Sequence, residues 1–351
     1  MIYFFNLLLV PLYYLFINSI IKDKKKALKS FAILIGIHAV LFRALANPYN
    51  YVDTEGYAKA YQNLSDMSWS IFLLYGEDWG VGYVLLNLLL GYISSDPQVL
   101  FVTLSVISIV PVVWFYYKTS NNMLLSMMIF LTYPMMYYMG FGVVRQHAAI
   151  AFALLSLYYI DKYKVSIPLT LLACSFHTSA ILILPFFVWR KLDIKKMGII
   201  KYLILIVIGV LSVSIVGSLV IDYIGSSRYE DVLDEGTNSN VVPVILVGSL
   251  LVMSAMNKLR YYINDKRNLG ILSFLMYGLI IAIFSMGMAS LGRASLYFIY
   301  VVPVIITWLS KYHSKFKSVN TIYIFMVFVL IGIQLYLGYQ PEMYDYSFYW
   351  D

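Results

Sequence analysis

Apolar runs of about span length follow one another along almost the whole chain, at residues 2 to 21, 30 to 46, 80 to 95, 98 to 117, 123 to 141, 144 to 160, 165 to 188, 199 to 224, 241 to 256, 269 to 291, 294 to 310 and 319 to 338. A crossing helix needs about 20 such residues. The runs are continuous rather than alternating at every second position, which argues against a transmembrane β-barrel. The pattern predicts an all-α polytopic membrane protein: one integral domain over residues 1–351, with its largest outer loop at 47–79 and a second at 225–240.

Two of the twelve segments make poor spans. Residues 80–95 (GVGYVLLNLLLGYISS) are short and start with glycines, and 165–188 carries His177 among Ser175, Thr178 and Ser179. If all twelve crossed, the loops holding Lys118 and Lys162/Lys164 would face outside, against the tendency of Lys/Arg loops to stay cytoplasmic. Making both segments re-entrant restores the parity, because irregular backbone at membrane depth is tolerated where it lines a protein cavity. The expectation is about ten transmembrane helices plus two re-entrant segments.

Composition supports this class. Of 351 residues, 61% are hydrophobic and 12% charged, about half the charge of an ordinary soluble domain. One Cys, Cys174, and four scattered histidines leave neither an intramolecular disulfide nor a Cys/His zinc site. The start, MIYFFNLLLVPLYYLFINSII followed by KDKKKALK, reads as a first span with its N-terminus outside rather than a cleavable signal.

The net charge of +7 is explained by topology, so no nucleic-acid partner is expected. On the re-entrant scheme 20 of the 25 Lys+Arg lie inside, and Arg43, Lys59, Arg145, Arg228 and Arg293 lie outside. Four of seven arginines but one of eighteen lysines face outward. Arginine is suited to bidentate recognition of phosphate and carboxylate, whereas lysine largely follows orientation. The outer face looks built to hold an anion.

Several residues there are candidates for chemistry. The 47–79 loop mixes Asp53, Glu55, Asp66, Glu77 and Asp78 with Tyr49, Tyr51, Tyr57, Tyr61, Trp69 and Trp79, a combination that suits sugar rings and hydroxyls as well as an aromatic belt at headgroup level. Asp53, in YVDTEGYAKAY, is placed to act as general base on an acceptor hydroxyl. In GFGVVRQHAAIAFALLSLYYI the apolar part after Gln146 is too short to cross alone, which draws Arg145 into the outer membrane edge. There it either snorkels or meets a fixed anion such as a lipid-linked phosphate. His147 reads as structural. His177 is either a satisfied interior group or, at a re-entrant tip, a donor to phosphate or a proton shuttle. Arg293 lies between two spans with almost no loop, which argues for a fixed partner. Arg228 and Tyr229 open an acidic stretch, RYEDVLDEG, where Arg228 has Glu230 and Asp231 at hand; Arg43 has Asp53 or Asp78. No nucleotide-binding glycine loop, nucleophile elbow or metal cluster is present in the sequence.

In order and spacing, YVDTEGYAKAY, GEDWGVGYVLL, VVRQHAAIAFAL, ACSFHTSAILILPF and RASLYFIYVVP resemble the EpsG branch of the Wzy-type polysaccharide polymerases over roughly residues 1–310. The most specific marks are the Arg-Gln-x-x-Ala and Phe-His-x-Ser-Ala runs. Glu77-Asp78-Trp79-Gly80 departs from the Glu-Pro-Gly-like run common in that family. The resemblance implies a glycosyltransferase in the bacterial cytoplasmic membrane, with its active site facing the exterior. It would join oligosaccharide repeat units carried on undecaprenyl diphosphate, with no cofactor and with a chain-length regulator as a partner. Asp53, Arg145, His177 and Arg293 would then be catalytic, and Arg43, Tyr57, Glu77, Gln146, Arg228 and Tyr229 would bind substrate. A flippase of lipid-linked oligosaccharide or an O-antigen ligase is the alternative; a flippase should place cationic groups through the full membrane depth.

Overall fold

The computed structural model describes residues 2–51, 53–65, 79–133, 135–190, 265–285, 296–313 and 346–350. These residues are mostly helical, and the only β-bridge among them pairs Ala46 with Phe348. The helices that matter for the site are α1 (Ile2–Ile20), α2 (Lys24–Ala44), α3 (Thr54–Ser65), α4 (Val81–Gly91), α5 (Gln98–Thr119), α6 (Met123–Thr132), α7 (Val144–Tyr158), α8 (Tyr163–Phe176), α9 (Lys266–Ser285) and α10 (Val302–His313). Two of them, α2 and α5, are long and apolar enough to cross a membrane, and several shorter apolar helices accompany them. The segments expected at 199–224, 241–256 and 319–338 and the 225–240 loop lie outside the described residues, as do Glu77, Arg228, Tyr229 and Arg293.

Side-chain contacts fix the helix directions. Asp23 caps α2 by accepting from the Lys26 N–H at 2.9 Å, satisfying one of the orphan donors of the first turn. Helix α5 runs antiparallel to α2: the Gln98 amide donates to the Ala44 carbonyl at one end, and Gly36 faces Val113 towards the other. Helix α7 lies parallel to α5, with Trp114 packed on Tyr158 at 4.5 Å. The α7–α8 hairpin is clasped by buried hydroxyls, Ser156 Oγ lying 2.8 Å from Ser166 Oγ and 2.7 Å from Thr170 Oγ1. Interhelical hydroxyl bonds of this kind replace the hydrophobic drive that is missing between helices in lipid.

These directions sort the charges. Lys24, Lys25 and Lys26 begin α2, Lys118 ends α5, and Lys162 precedes α8. Arg190 donates to the Ile160 carbonyl and pairs with Asp161, while the Arg267 guanidinium sits 4.2 Å from the Tyr158 ring centre. All of these belong to one end of the bundle. Arg43, near the end of α2, and Arg145, in the first turn of α7, belong to the other.

Both poor spans leave and return at a single end. Helix α8 starts at the lysine end and its 14 residues reach about 21 Å, short of a hydrocarbon core of about 30 Å. It stops at His177, whose backbone is extended (φ −152°, ψ 122°), and the 3-10 turn Thr178–Ile183 and short helix Phe186–Trp189 lead back to Arg190 beside Asp161. Helix α4 starts and finishes at the arginine end. The Trp79 carbonyl before it meets Arg145, and after it the Ser94 carbonyl accepts from Tyr61 Oη while Asp96 accepts from Tyr349 Oη. Had 80–95 crossed, Asp96 and Gln98 would lie among the lysines.

One expected span is interrupted. Residues 123–141 read as a continuous run, but α6 ends at Thr132, Tyr133 is extended (φ −81°, ψ 114°), and only the four residues Met139–Gly142 are helical before α7. Steric crowding of Tyr133 by Pro134 accounts for the break. The chain's last described stretch returns to the same end: the Asn47 N–H donates to the Ser347 carbonyl and the Tyr349 N–H to the Leu45 carbonyl, both at 2.9 Å. Tyr346 stacks on Phe42 at 4.5 Å.

Candidate functional site

Arg145 stands in an aromatic cage. Its guanidinium carbon is 4.9 Å from the Trp79 ring centre, 5.3 Å from Tyr57 and 5.5 Å from Tyr83. Nη1 donates to the Trp79 carbonyl at 2.7 Å and Nε to Tyr57 Oη at 3.3 Å. Three elements distant in sequence build it: α3 supplies Tyr57, the entry to α4 supplies Trp79 and Tyr83, and α7 supplies the arginine. Ring faces attract the cation without neutralising it. Among the described residues the ion pairs are Lys59–Glu55 and Arg190–Asp161, so Arg145 faces no carboxylate there. Two of its five N–H donors are engaged by the described residues. The first turn of a helix also favours negative charge. Arg145 and Tyr57 were expected at the site and are brought together; Trp79 and Tyr83 complete it.

Glycines let α4 press against the end of α8. Gly80 has φ +85°, and a Cβ there would lie 2.6 Å from the Ser175 carbonyl oxygen; one on Gly82 would lie 2.2 Å from Ser175 Oγ. This contact puts His177, two residues after Ser175, close along the backbone to Trp79. The His177 Nδ1 lies 2.6 Å from Ser179 Oγ and 3.3 Å from the Ser179 N–H, and Ser179 Oγ lies 3.1 Å from Tyr297 Oη. Tyr297 is buried and follows Arg293 by four residues.

Arg43 is placed differently from expectation. Rather than meeting Asp53, it is 6% exposed, donates from Nη1 to Ser108 Oγ at 3.1 Å and from Nη2 to the Tyr137 carbonyl, and sits 4.7 Å from the Tyr137 ring centre. Asp78, its other expected partner, lies outside the described residues. The physical reason is the break after α6, because an unwound carbonyl buried away from water needs a donor. Tyr300 serves the neighbouring Met136 carbonyl in the same way. A Cβ on Gly140 would lie 2.5–2.6 Å from the Arg43 guanidinium, so glycine there makes room for it. Arg43, Tyr51, Ser105, Ser108 and Phe141 line a narrow cleft below the end of α2.

Asp53 is exposed and adopts φ 71°, an uncommon conformation for a residue other than glycine that Asp tolerates better than most. Its carbonyl accepts the Tyr57 N–H at 3.1 Å, so it starts the helix that carries one wall of the Arg145 cage. Its carboxylate is in neither ion pair of the described residues. The Lys59–Glu55 contact at 2.6 Å holds the exposed Glu55 below the usual carboxylate range and occupies the only lysine expected outside. Gln146 and His147 are buried within the bundle, the latter with Nδ1 2.9 Å from the Val143 carbonyl.

Sequence patterns alone did not single out Tyr83, Ser108, Tyr137, Tyr297 or the 346–350 strap. The Tyr133-Pro134 step did carry a usable signal for the break. None of the curated proteins and none of the solved structures matches the chain. The family model that does match covers residues 33–348, from within α2 to the C-terminal strap, and so includes the Arg145 cage, the His177 turn and the Arg43 cleft. The chain is therefore a membrane protein of the EpsG family, a family associated with polysaccharide polymerases.

Proposed function

We propose that the chain is a membrane glycosyltransferase that polymerises oligosaccharide repeat units carried on a lipid diphosphate, undecaprenyl diphosphate by resemblance. The lysine end is taken as cytoplasmic by the positive-inside tendency, which turns Arg145 towards the exterior of the cytoplasmic membrane. The observation that carries this reading is Arg145 itself: a guanidinium held among three rings, with unused donors and no carboxylate among the described residues. Such a group is a receptor for an anion, and a diphosphate at the membrane surface is the anion this family's role calls for.

In the reaction, the acceptor sugar hydroxyl attacks the anomeric carbon of the growing chain. A new carbon–oxygen bond forms there as the bond to the donor diphosphate breaks, and the lipid diphosphate leaves with the added negative charge. Arg145, with Arg293, stabilises that charge, and Asp53 takes the hydroxyl proton. Arg228, Tyr229, Glu77 and Gln146 are assigned to substrate binding in the same scheme, and a chain-length regulator is its expected partner. Arg43 supports the wall of the site from inside.

The test is polymerisation of purified lipid-linked repeats by the full-length protein in nanodiscs. Wild type should give a ladder of products and Arg145→Ala only traces of it. A wild-type protein that yields no ladder while moving labelled lipid-linked repeats across the bilayer would overturn the polymerase reading in favour of a flippase.

A further inference from the structure

We infer that the lysine end carries a binding site for the headgroup of an anionic phospholipid, in which Arg267 grips the phosphate, Lys162 adds charge, and the rings of Trp114, Tyr158 and Tyr159 form the floor. The site lies at the opposite end of α7 from the Arg145 cage and does not rest on the polymerase reading.

Four elements bring these side chains together. Tyr158 and Tyr159, at the end of α7, have ring centres 5.0 Å apart and nearly perpendicular planes. Trp114 of α5 packs 4.5 Å from the first and 6.1 Å from the second. The Arg267 guanidinium lies 4.2 Å from the Tyr158 ring centre, and the ammonium of Lys162, just before α8, lies 5.9 Å from that of Tyr159. Helix α9 can present Arg267 there because its next turn packs tightly on the same corner: a Cβ on Gly270 would lie 3.2 Å from Ile160 Cγ2.

The neighbouring charges are already committed. Arg190 pairs with Asp161 and donates to the Ile160 carbonyl at 2.8 Å, so it takes both the nearby carboxylate and a backbone acceptor beyond the end of α7. The Asp265 carboxylate accepts from the Arg267 backbone N–H at 3.1 Å, as a cap of α9. Among the described residues neither Arg267 nor Lys162 makes an ion pair. The Arg267 guanidinium meets a ring face and no hydrogen-bond acceptor there, and a ring face attracts a cation without neutralising it. Its planar fork of donors is therefore available, in the geometry that suits phosphate.

The rings argue for a lipid as the source of that phosphate. Helix α5 is one of the two long enough to cross, and Trp114 sits near its end, half-buried like Tyr158 and Tyr159. Trp and Tyr at the end of a crossing helix lie at headgroup level, where a basic pocket between helices receives anionic headgroups. A phospholipid would cover the rings with its glycerol and upper acyl carbons; a soluble phosphate would leave them bare.

The experiment is native mass spectrometry of the full-length protein released from nanodiscs of mixed phosphatidylcholine and phosphatidylglycerol. Wild type should retain phosphatidylglycerol in preference. Arg267→Gln should lower that affinity by at least about tenfold, the loss of a hydrogen-bonded charge, and Arg267→Lys should recover part of it. Lys25→Gln, which removes an exposed charge from the start of α2 at the same end, should change it by less than about twofold if contact rather than diffuse attraction holds the lipid. If Arg267→Gln folds poorly by thermal unfolding, Lys162→Gln, at an exposed position, gives the same test, with a loss of about fivefold. Glycerol 3-phosphate, the same phosphate without acyl chains, should not displace the lipid. Displacement by it would transfer the site to a soluble phosphate ester. Absence of any preference in wild type, or losses in the ring-site variants no larger than in Lys25→Gln, would overturn the proposal outright.

Discussion

Gly80→Ala tests whether the contact between α4 and α8 sets the geometry at Arg145. The backbone there has φ +85°, which costs an L residue about 1–3 kcal/mol. The new methyl would lie 2.6 Å from the Ser175 carbonyl oxygen, whereas ordinary van der Waals contact begins at 3.4 Å, a deficit of 0.8 Å. That neighbour is helix backbone and cannot swing aside, so overpacking adds about 1–3 kcal/mol. The sum, about 2–6 kcal/mol, is a large share of a typical folding stability of about 5–15 kcal/mol. If the start of α4 yields by the full deficit, the Trp79 carbonyl, now 2.7 Å from Arg145 Nη1, moves to about 3.5 Å, beyond a hydrogen bond. A misplacement near 1 Å can cost about a hundredfold in rate. Thermal unfolding in detergent and polymerisation of lipid-linked repeats should both fall steeply. Gly56→Ala is the matched control, since its Cβ meets nothing within 4 Å and alanine is favoured over glycine inside a helix by about 1 kcal/mol. Equal stability and activity in the two variants would refute the reasoning.

Arg145→Ala should lower the polymerisation rate by about a hundredfold to thousandfold, the usual loss for one group stabilising developing charge. Arg145→Lys should recover only part of it, because the ammonium lacks the planar fork; a fully active lysine variant would argue against bidentate anion binding. Ser156→Ala removes the hub of the α7–α8 clasp and should lower the unfolding temperature, at a cost of about 1–3 kcal/mol for the hydroxyls left unsatisfied, which differential scanning measures directly. After replacement of Cys174, cysteines introduced at Lys118 and Lys162 should resist a membrane-impermeant thiol reagent added outside, while one at Trp350, 66% exposed at the arginine end, should react. Outside labelling at Lys118 or Lys162 would sink the orientation.

Much of this fold was legible in the charges. Lys118, Lys162 and Lys164 argued that 80–95 and 165–188 return to the side they left, and among the described residues both ends of each segment lie at one end of the bundle: Asp96 beside Tyr349 and Arg190 beside Asp161. Tyr57 and Arg145 were legible as candidates, though not as a pair, because a contact across 88 residues leaves no periodic trace. The other walls of the cage were hidden for a related reason. With 33 Tyr and 21 Phe in the chain, Tyr83 is one aromatic among many. Arg43 misled because an arginine near carboxylates suggests an ion pair, and the rival acceptor, the Tyr137 carbonyl, exists only once α6 is known to stop at Thr132. Interrupted helices expose backbone acceptors that no side-chain pattern announces.

The two out-and-back segments and the site have one physical cause. A helix that crosses fully satisfies its own backbone and presents only side chains, so ten regular spans would offer an anion little beyond lipid-facing rings. Stopping α8 at His177 and starting α4 at Gly80 instead brings two helix ends to the first turn of α7, where the helix terminus already favours negative charge. Arg145 is held there by the Trp79 carbonyl and three ring faces, none of which neutralises it. A carboxylate in place of those rings would hold the guanidinium more tightly and leave a phosphate less to gain. Replacing Tyr83 with glutamate would therefore lower polymerisation even if the protein folded normally, whereas Tyr83→Phe, which keeps the ring face, should keep most of the activity; the opposite ranking in the nanodisc assay would mean that the cage does not serve to keep Arg145 available.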